Sequence, residues 1–148
     1  MNYKKRDKTE FIAVHCSATS EKMNIGKEDI DRWHRAKGWF GIGYHYVIRR
    51  DGTVEEGRPH DVAGAHVQGY NSQSVGICMV GGVNSSDTKA ANNFTPEQFE
   101  SLKDVLKTLK GFYPEAKIQG HRDFPDVHKD CPSFDVAAWL KAEGIDNN

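Results

Sequence analysis

Long apolar runs are missing from this sequence, and with them any helix that could cross a bilayer, which needs about twenty consecutive apolar residues. An excess of charge is missing too. Twenty lysines and arginines stand against twenty-one aspartates and glutamates, a formal charge of -1, so no overall basic field exists to hold a nucleic acid or an anionic membrane. Cysteine is scarce: Cys16, Cys78 and Cys131 form an odd set in a chain without an export signal, which favours reduced thiols or metal ligation over a disulfide framework. The segment Met1 to Glu10 is polar, and Phe11 to Val14 is too short for a signal-peptide core, so a protein that is cytoplasmic when synthesised is expected. Repeats and low-complexity segments are absent as well. A chain of 148 residues without them fits one domain, 1–148, with about 1–8 and 146–148 frayed.

What is present reads as short strands alternating with amphipathic helices. The apolar, partly β-branched run Phe11 to Cys16, stopped by Ser17, Thr19 and Ser20, predicts a buried strand that ends near His15. Ile30, Trp33 and His34 recur at helical spacing over Lys27 to Lys37, with Gly38 as a C-terminal stop. Tyr44 to Arg49 and Thr53 to Gly57 flank an Asp51-Gly52 turn and predict a hairpin. Residues 58–73 carry Pro59, Gly64 and Gly69 without periodicity and predict a surface loop, after which Ser74 to Val80 reads as a core strand. Thr95, Pro96 and Gln98 make a capping box ahead of the stripe Phe99, Leu102, Val105, Leu106 and Leu109. Ala116 to Gly120 is the last strand, and Phe134 to Glu143 a final helix closed near Gly144. This order predicts an α/β domain with a central mixed β-sheet flanked by helices.

Chemistry is carried by histidines at strand ends or in glycine-bearing loops, where side chains converge: His15, His45, His66, His121 and His128. His34, inside a helix, and His60, after a proline, read as structural or solvated. A catalytic zinc site takes three ligands from His, Cys, Asp or Glu and leaves a fourth position for water. His15, His121 and Cys131 could supply that set, yet their separations match no compact zinc finger. Residue types alone leave open buried histidines and an inert apolar cysteine.

Several motifs in order narrow the choice. Val14-His15-Cys16-Ser17-Ala18-Thr19, Gly43-Tyr44-His45-Tyr46, Arg50-Asp51-Gly52-Thr53-Val54-Glu55, Gly69-Tyr70-Asn71, Val80-Gly81-Gly82 and Cys131-Pro132-Ser133-Phe134-Asp135 together resemble the type 2 N-acetylmuramoyl-L-alanine amidases, nearest to small phage lysozymes of the amidase type. The likeness runs from about Phe11 to Leu140. It implies an amidase or peptidoglycan-recognition-protein-like fold and hydrolysis of the amide joining N-acetylmuramic acid to L-alanine in peptidoglycan. It further implies one Zn2+ held by His15, His121 and Cys131, with Tyr44 and Lys129 as catalytic residues and His66, Tyr70 and Asn71 on the substrate groove. Zinc suits that task because it lowers the pKa of a water to about 7 and polarises the carbonyl under attack. A cationic Lys129 and a Tyr44 hydroxyl would then stabilise the charge that develops on oxygen. One departure stands out: the stretch from His121 to Cys131 is about two residues longer than in those phage enzymes, so that Asp126, Val127 and His128 form an enlarged loop able to displace Lys129.

Alternation along strands predicts that His45 points away from Tyr44 into a buried, hydrogen-bonded place, and that Cys16 and Cys78 are buried apolar thiols. Two other functions use some of the same residues. Cys131 with a histidine could form a cysteine hydrolase, and a groove without metal would make a non-catalytic peptidoglycan-binding module. The resemblance implies a phage or prophage endolysin that reaches the wall through a separate permeabilising protein. A monomer is expected, with peptidoglycan as partner and no nucleic acid. It also leaves open a contact with the phage RNA polymerase, for which the sequence has no independent support.

Overall fold

The computed structural model describes residues 4–6, 8–85 and 89–147. In chain order its elements are β1 (Phe11–Cys16), β2 (Thr19–Ser20), α1 (Lys27–Ala36), β3 (Tyr46–Ile48), β4 (Val54–Glu56), β5 (Ser74–Met79), β6 (Gly82–Val83), α2 (Pro96–Phe112), β7 (Lys117–Gly120) and α3 (Val136–Ala142). The central sheet runs β4-β3-β5-β1-β7, and β2 pairs with β6 beside it. β1 is parallel to both β5 and β7, β3 is parallel to β5, and β4 closes an antiparallel edge on β3, so the sheet is mixed as expected.

Side-chain alternation in the two central strands decides which helix covers which face. Ile12, Val14 and Cys16 of β1 and Val75, Ile77 and Met79 of β5 pack with Leu102, Leu106 and Leu109 of α2 and Val136 and Leu140 of α3. On the opposite face Val47 and Cys78 pack with Ile30 of α1, and Ala13 packs with Val67 and Phe124. That second face carries His15 from β1, and Ser74, Gly76 and Cys78 from β5. Small residues there leave room for rings from the loop between β4 and β5.

Local signals act where the sequence puts them. Thr95 accepts the Gln98 N–H at 3.1 Å and the Gln98 side chain accepts the Thr95 N–H at 2.9 Å, a reciprocal cap that starts α2. Gly52 takes φ +90, which a residue with a Cβ adopts only under strain, and closes the β3-β4 hairpin. Gly144 (φ +68) ends α3, whose start is Val136 rather than Phe134 because Asp135 caps it, accepting the Ala138 N–H. Residues 58–73 hold more order than a bare loop: Val62 bridges to Lys5, and Asn71–Gln73 form a turn of 3-10 helix. Some of the described terminal residues make contacts with the body of the domain. Lys5 is in that bridge, and the Asn147 amide takes both the N–H and the C=O of Ile118, at 2.7 and 2.8 Å; Met1–Tyr3, Asp7 and Asn148 lie outside the described residues. No helix among the described residues is long and apolar enough to cross a membrane.

Candidate metal centre and active-site cleft

Parallel strands collect side chains at their carboxyl ends, and this sheet does so at β1 and β7. His15 is the last inward residue of β1 on the small-residue face. His121 follows β7 immediately, on a 3-10 turn whose N-terminus is held by the Asp123 carboxylate accepting the Gly120 N–H at 2.9 Å. Cys131 arrives from ten residues further on. Its carbonyl accepts the Arg122 N–H at 2.8 Å, and its thiol sulfur accepts the Cys16 N–H at 3.1 Å. A Cβ on Gly120 would sit 2.8 Å from Pro132 Cδ, so only glycine lets the Cys131-Pro132 segment pack against the end of β7. The result is a triangle of donor atoms from His15, His121 and Cys131, all within 4.8 Å of one another.

Electrostatics there favours neutral imidazoles. Burial, followed by the charges of His66, His121 and Lys129, holds His15 well below the usual histidine range. Burial and then Lys129 bring His121 down to about 4. A hydrogen bond with the Cys16 thiol, reinforced by burial, pushes the Cys131 thiol up. Two imidazole lone pairs and one sulfur are the N/S donor set that zinc prefers, and three protein donors leave one position open, as in catalytic rather than structural zinc sites. The residues fit that group.

Beside the triangle lies a cleft of about 700 Å³ lined by His66, Gly69, Tyr70, His121, His128 and Lys129 among others. Lys129 therefore faces the cleft with His121 despite the longer loop. That loop is tied down: Asp126 takes a left-handed φ of +63, and Val127 packs beside Phe124 and Val67. The Tyr44 ring centroid is 5.1 Å from that of His15. Burial, then the Cys78 and Cys131 thiols, push its phenol well above the usual range, so Tyr44 is a neutral hydroxyl donor.

The remaining candidates separate by their hydrogen bonds. His45 is buried, accepts the Gly76 N–H on Nδ1 at 3.0 Å and donates from Nε2 to the Val62 carbonyl at 2.8 Å, which is the buried structural role expected of it. His34 accepts the Gly43 N–H at 2.8 Å, and His60 joins Tyr46 and Tyr113. The Asn71 side-chain oxygen accepts the N–H groups of His66 and Val67 at 2.8 and 2.9 Å and so shapes the loop, and Asn71 lines the neighbouring groove beside Ala65 and Ser72. Tyr70 lies edge-on to Phe11, 5.7 Å between centroids, at the cleft wall. His66 lines the cleft and also meets His15, Nδ1 to Nε2, at 2.8 Å. Cys16 is buried as expected, yet it is no isolated thiol: Cys131 bears directly on it, and that contact brings it down to about 7. Ser74, polar and fully buried, carries no sequence motif of its own; its signal is the small-residue series Ser74, Gly76, Cys78 on one strand face.

Fold and site together define a class: a mixed α/β domain with an open-sided N/S metal triangle beside a polar cleft, suited to metal-assisted hydrolysis. Residues 5–134 match the profile of N-acetylmuramoyl-L-alanine amidase, and the chain belongs to that family. The endolysin of Enterobacteria phage K11 is 49% identical over 141 residues, covering 95% of this chain and 91% of that protein. The endolysin of Escherichia phage T7 is 44% identical over 139 residues, covering 94% and 90%. Among solved structures, N-acetylmuramoyl-L-alanine amidase LysC from Clostridium intestinale URNW aligns with a TM-score of 0.76 at 29% identity, over 97% of this chain and 93% of that one. Drosophila PGRP-LB shares the fold at a TM-score of 0.78 and 23% identity, over 97% and 86%. The chain is an N-acetylmuramoyl-L-alanine amidase.

Proposed function

We propose that this amidase works with one zinc ion held by His15, His121 and Cys131, and that it acts as a phage or prophage endolysin. The observation that carries the reading is the triangle itself: residues from the first strand, the 3-10 turn after the last strand and the loop beyond bring three matched donors within 4.8 Å beside an open cleft. Bound zinc would supply Lewis acidity and activate water near neutral pH.

The chain's own residues supply the rest. Tyr44 offers a neutral hydroxyl and Lys129 a cation where negative charge grows on the lactyl carbonyl oxygen, the kind of preorganised donor that stabilises a tetrahedral transition state. Lys129, which lines the cleft, would also pass a proton to the departing amine of L-alanine. Tyr70, with the glycine before it, forms a wall for the glycan or stem peptide, and Asn71 sets the shape of that wall through the His66 and Val67 N–H groups. Reaching the wall from the cytoplasm would take a separate permeabilising protein, and the enzyme would work as a monomer.

Purified peptidoglycan digested with the protein should release intact stem peptides with a free L-alanine amine, read by mass analysis. A strong chelator should abolish release and zinc should restore it. Activity that survives chelation but falls to thiol alkylation would instead identify Cys131 as a nucleophile. Wall binding without release would leave a binding module.

A further inference from the structure

His66 has two ring nitrogens, and both are committed inside the protein. Nδ1 meets His15 Nε2 at 2.8 Å, and Nε2 meets Ser74 Oγ at 3.3 Å. The direction of each bond can be worked out from the far end. Ser74 Oγ donates its one hydrogen to the Tyr70 carbonyl at 2.8 Å, so toward His66 it can only accept. His66 therefore carries its proton on Nε2 and presents a lone pair at Nδ1. His15 must then donate from Nε2, which leaves the lone pair of His15 on Nδ1.

The ring is also seated rather than merely adjacent. A Cβ on Gly76 would stand 2.7 Å from His66 Cγ and Nδ1, and one on Gly64 2.5 Å from Cδ2, so both glycines make room for this imidazole. Asn71 holds the His66 backbone N–H at 2.8 Å, and the His45 ring stands edge-on to it with centroids 5.8 Å apart. Ser74 is fully buried at the start of β5 and has no access to a substrate.

We propose that His66 is a positioning residue: with Ser74 and the Tyr70 carbonyl it forms a one-way hydrogen-bond chain that fixes the tautomer and ring plane of His15, turning Nδ1 of His15 toward the metal. This replaces a polar substrate contact, because no nitrogen of His66 is left over for one. It rests on the reading of His15 as a metal ligand. Ligating histidines characteristically donate their other N–H to such an acceptor, and losing the acceptor weakens metal binding by roughly 10- to 100-fold.

The test is zinc affinity, measured by competition with a chromophoric chelator on the whole protein, for the parent and for His66→Ala, His66→Asn and Ser74→Ala. His66→Ala should bind zinc roughly 10- to 100-fold more weakly. His66→Asn should recover most of that loss, since its amide oxygen can accept from His15 Nε2. Ser74→Ala, which frees His66 to change tautomer, should fall between parent and His66→Ala. The absorption spectrum of the cobalt-substituted protein should shift in His66→Ala and return toward the parent's in His66→Asn. Parent-like affinity in both His66→Ala and Ser74→Ala, with a raised KM for a muramyl peptide in His66→Ala, would overturn the proposal and make His66 a substrate contact. Equal weakening in His66→Ala and His66→Asn would also overturn it, since rescue by an acceptor is its core. A parent that binds no zinc defeats the metal reading itself, an outcome distinct from either.

Discussion

The sulfur of Cys131 accepts the backbone N–H of Cys16 at 3.1 Å, joining two residues 115 apart in sequence. This bond does two things at once. It fixes the sulfur at the end of β1, next to His15, and it places a hydrogen-bond donor against whatever negative charge the sulfur carries when it ligates. A hydroxyl at the same place is a much poorer soft-metal ligand. Cys131→Ser should therefore bind zinc more than about 100-fold more weakly, a larger loss than an outer partner causes, with the fold retained. Zinc content per chain after dialysis, alongside far-UV circular dichroism, checks this.

Lys129 lines the cleft and the Tyr44 ring lies 5.1 Å from that of His15, and neither is part of the candidate metal triangle. Removing one donor from an oxyanion site lowers turnover by roughly 10²- to 10³-fold. Tyr44→Phe and Lys129→Ala should each show a loss of that order in kcat with zinc content unchanged, measured by release of L-alanine amines from peptidoglycan. Turnover equal to the parent's in either variant removes that residue from the mechanism.

Acid should destabilise the protein through two histidines outside the metal triangle. Burial is the main cause that brings His34 and His45 from the ordinary 6.5 down to about 4. Both accept a backbone N–H on Nδ1, from Gly43 and Gly76, and a protonated ring could not accept. Between about 6.5 and about 4 the unfolded chain binds protons that the folded chain refuses, so stability rises with pH there. It is fully present above 6.5 and is lost as pH falls toward 4. Urea midpoints at several pH values should decline across that window. In His34→Asn, whose amide oxygen can take the Gly43 N–H without titrating, the decline should be shallower by one proton's worth.

Gln98 is fully buried at the start of α2 and spends all its polar capacity: its amide donates to the carbonyls of Ile48 and Val80 at 3.1 and 2.9 Å, and its oxygen accepts from Thr95 and Arg50. It pins the helix N-terminus to the ends of β3 and β5. Gln98→Leu keeps the volume and loses every one of these bonds, at a cost on the order of 2 kcal/mol. A urea midpoint lowered without a change in slope is the expected result. An unchanged midpoint would mean that the cap contributes nothing net.

Local chemistry determined much of this protein from sequence alone. The β-branched run before His15, the Asp51-Gly52 turn and the Thr95-Gln98 box each act over a few residues, so their elements lie where the residue pattern puts them. The order of motifs also identified the amidase family and nominated His15, His121 and Cys131. Alternation correctly turned His45 away from Tyr44 into a buried seat.

Tertiary structure alone decided what those residues meet. That the three donors lie within 4.8 Å depends on β1 lying between β5 and β7 and on Pro132 packing against Gly120, and neither contact has a local signature. The same holds for Asn71, whose side-chain oxygen meets the His66 and Val67 N–H groups, a pairing with no local signature in the sequence. Hydrogen-bond direction is the extreme case: the proton on His15 is placed by Ser74, across the sheet, and no spacing in a linear chain records which strand face a serine will share.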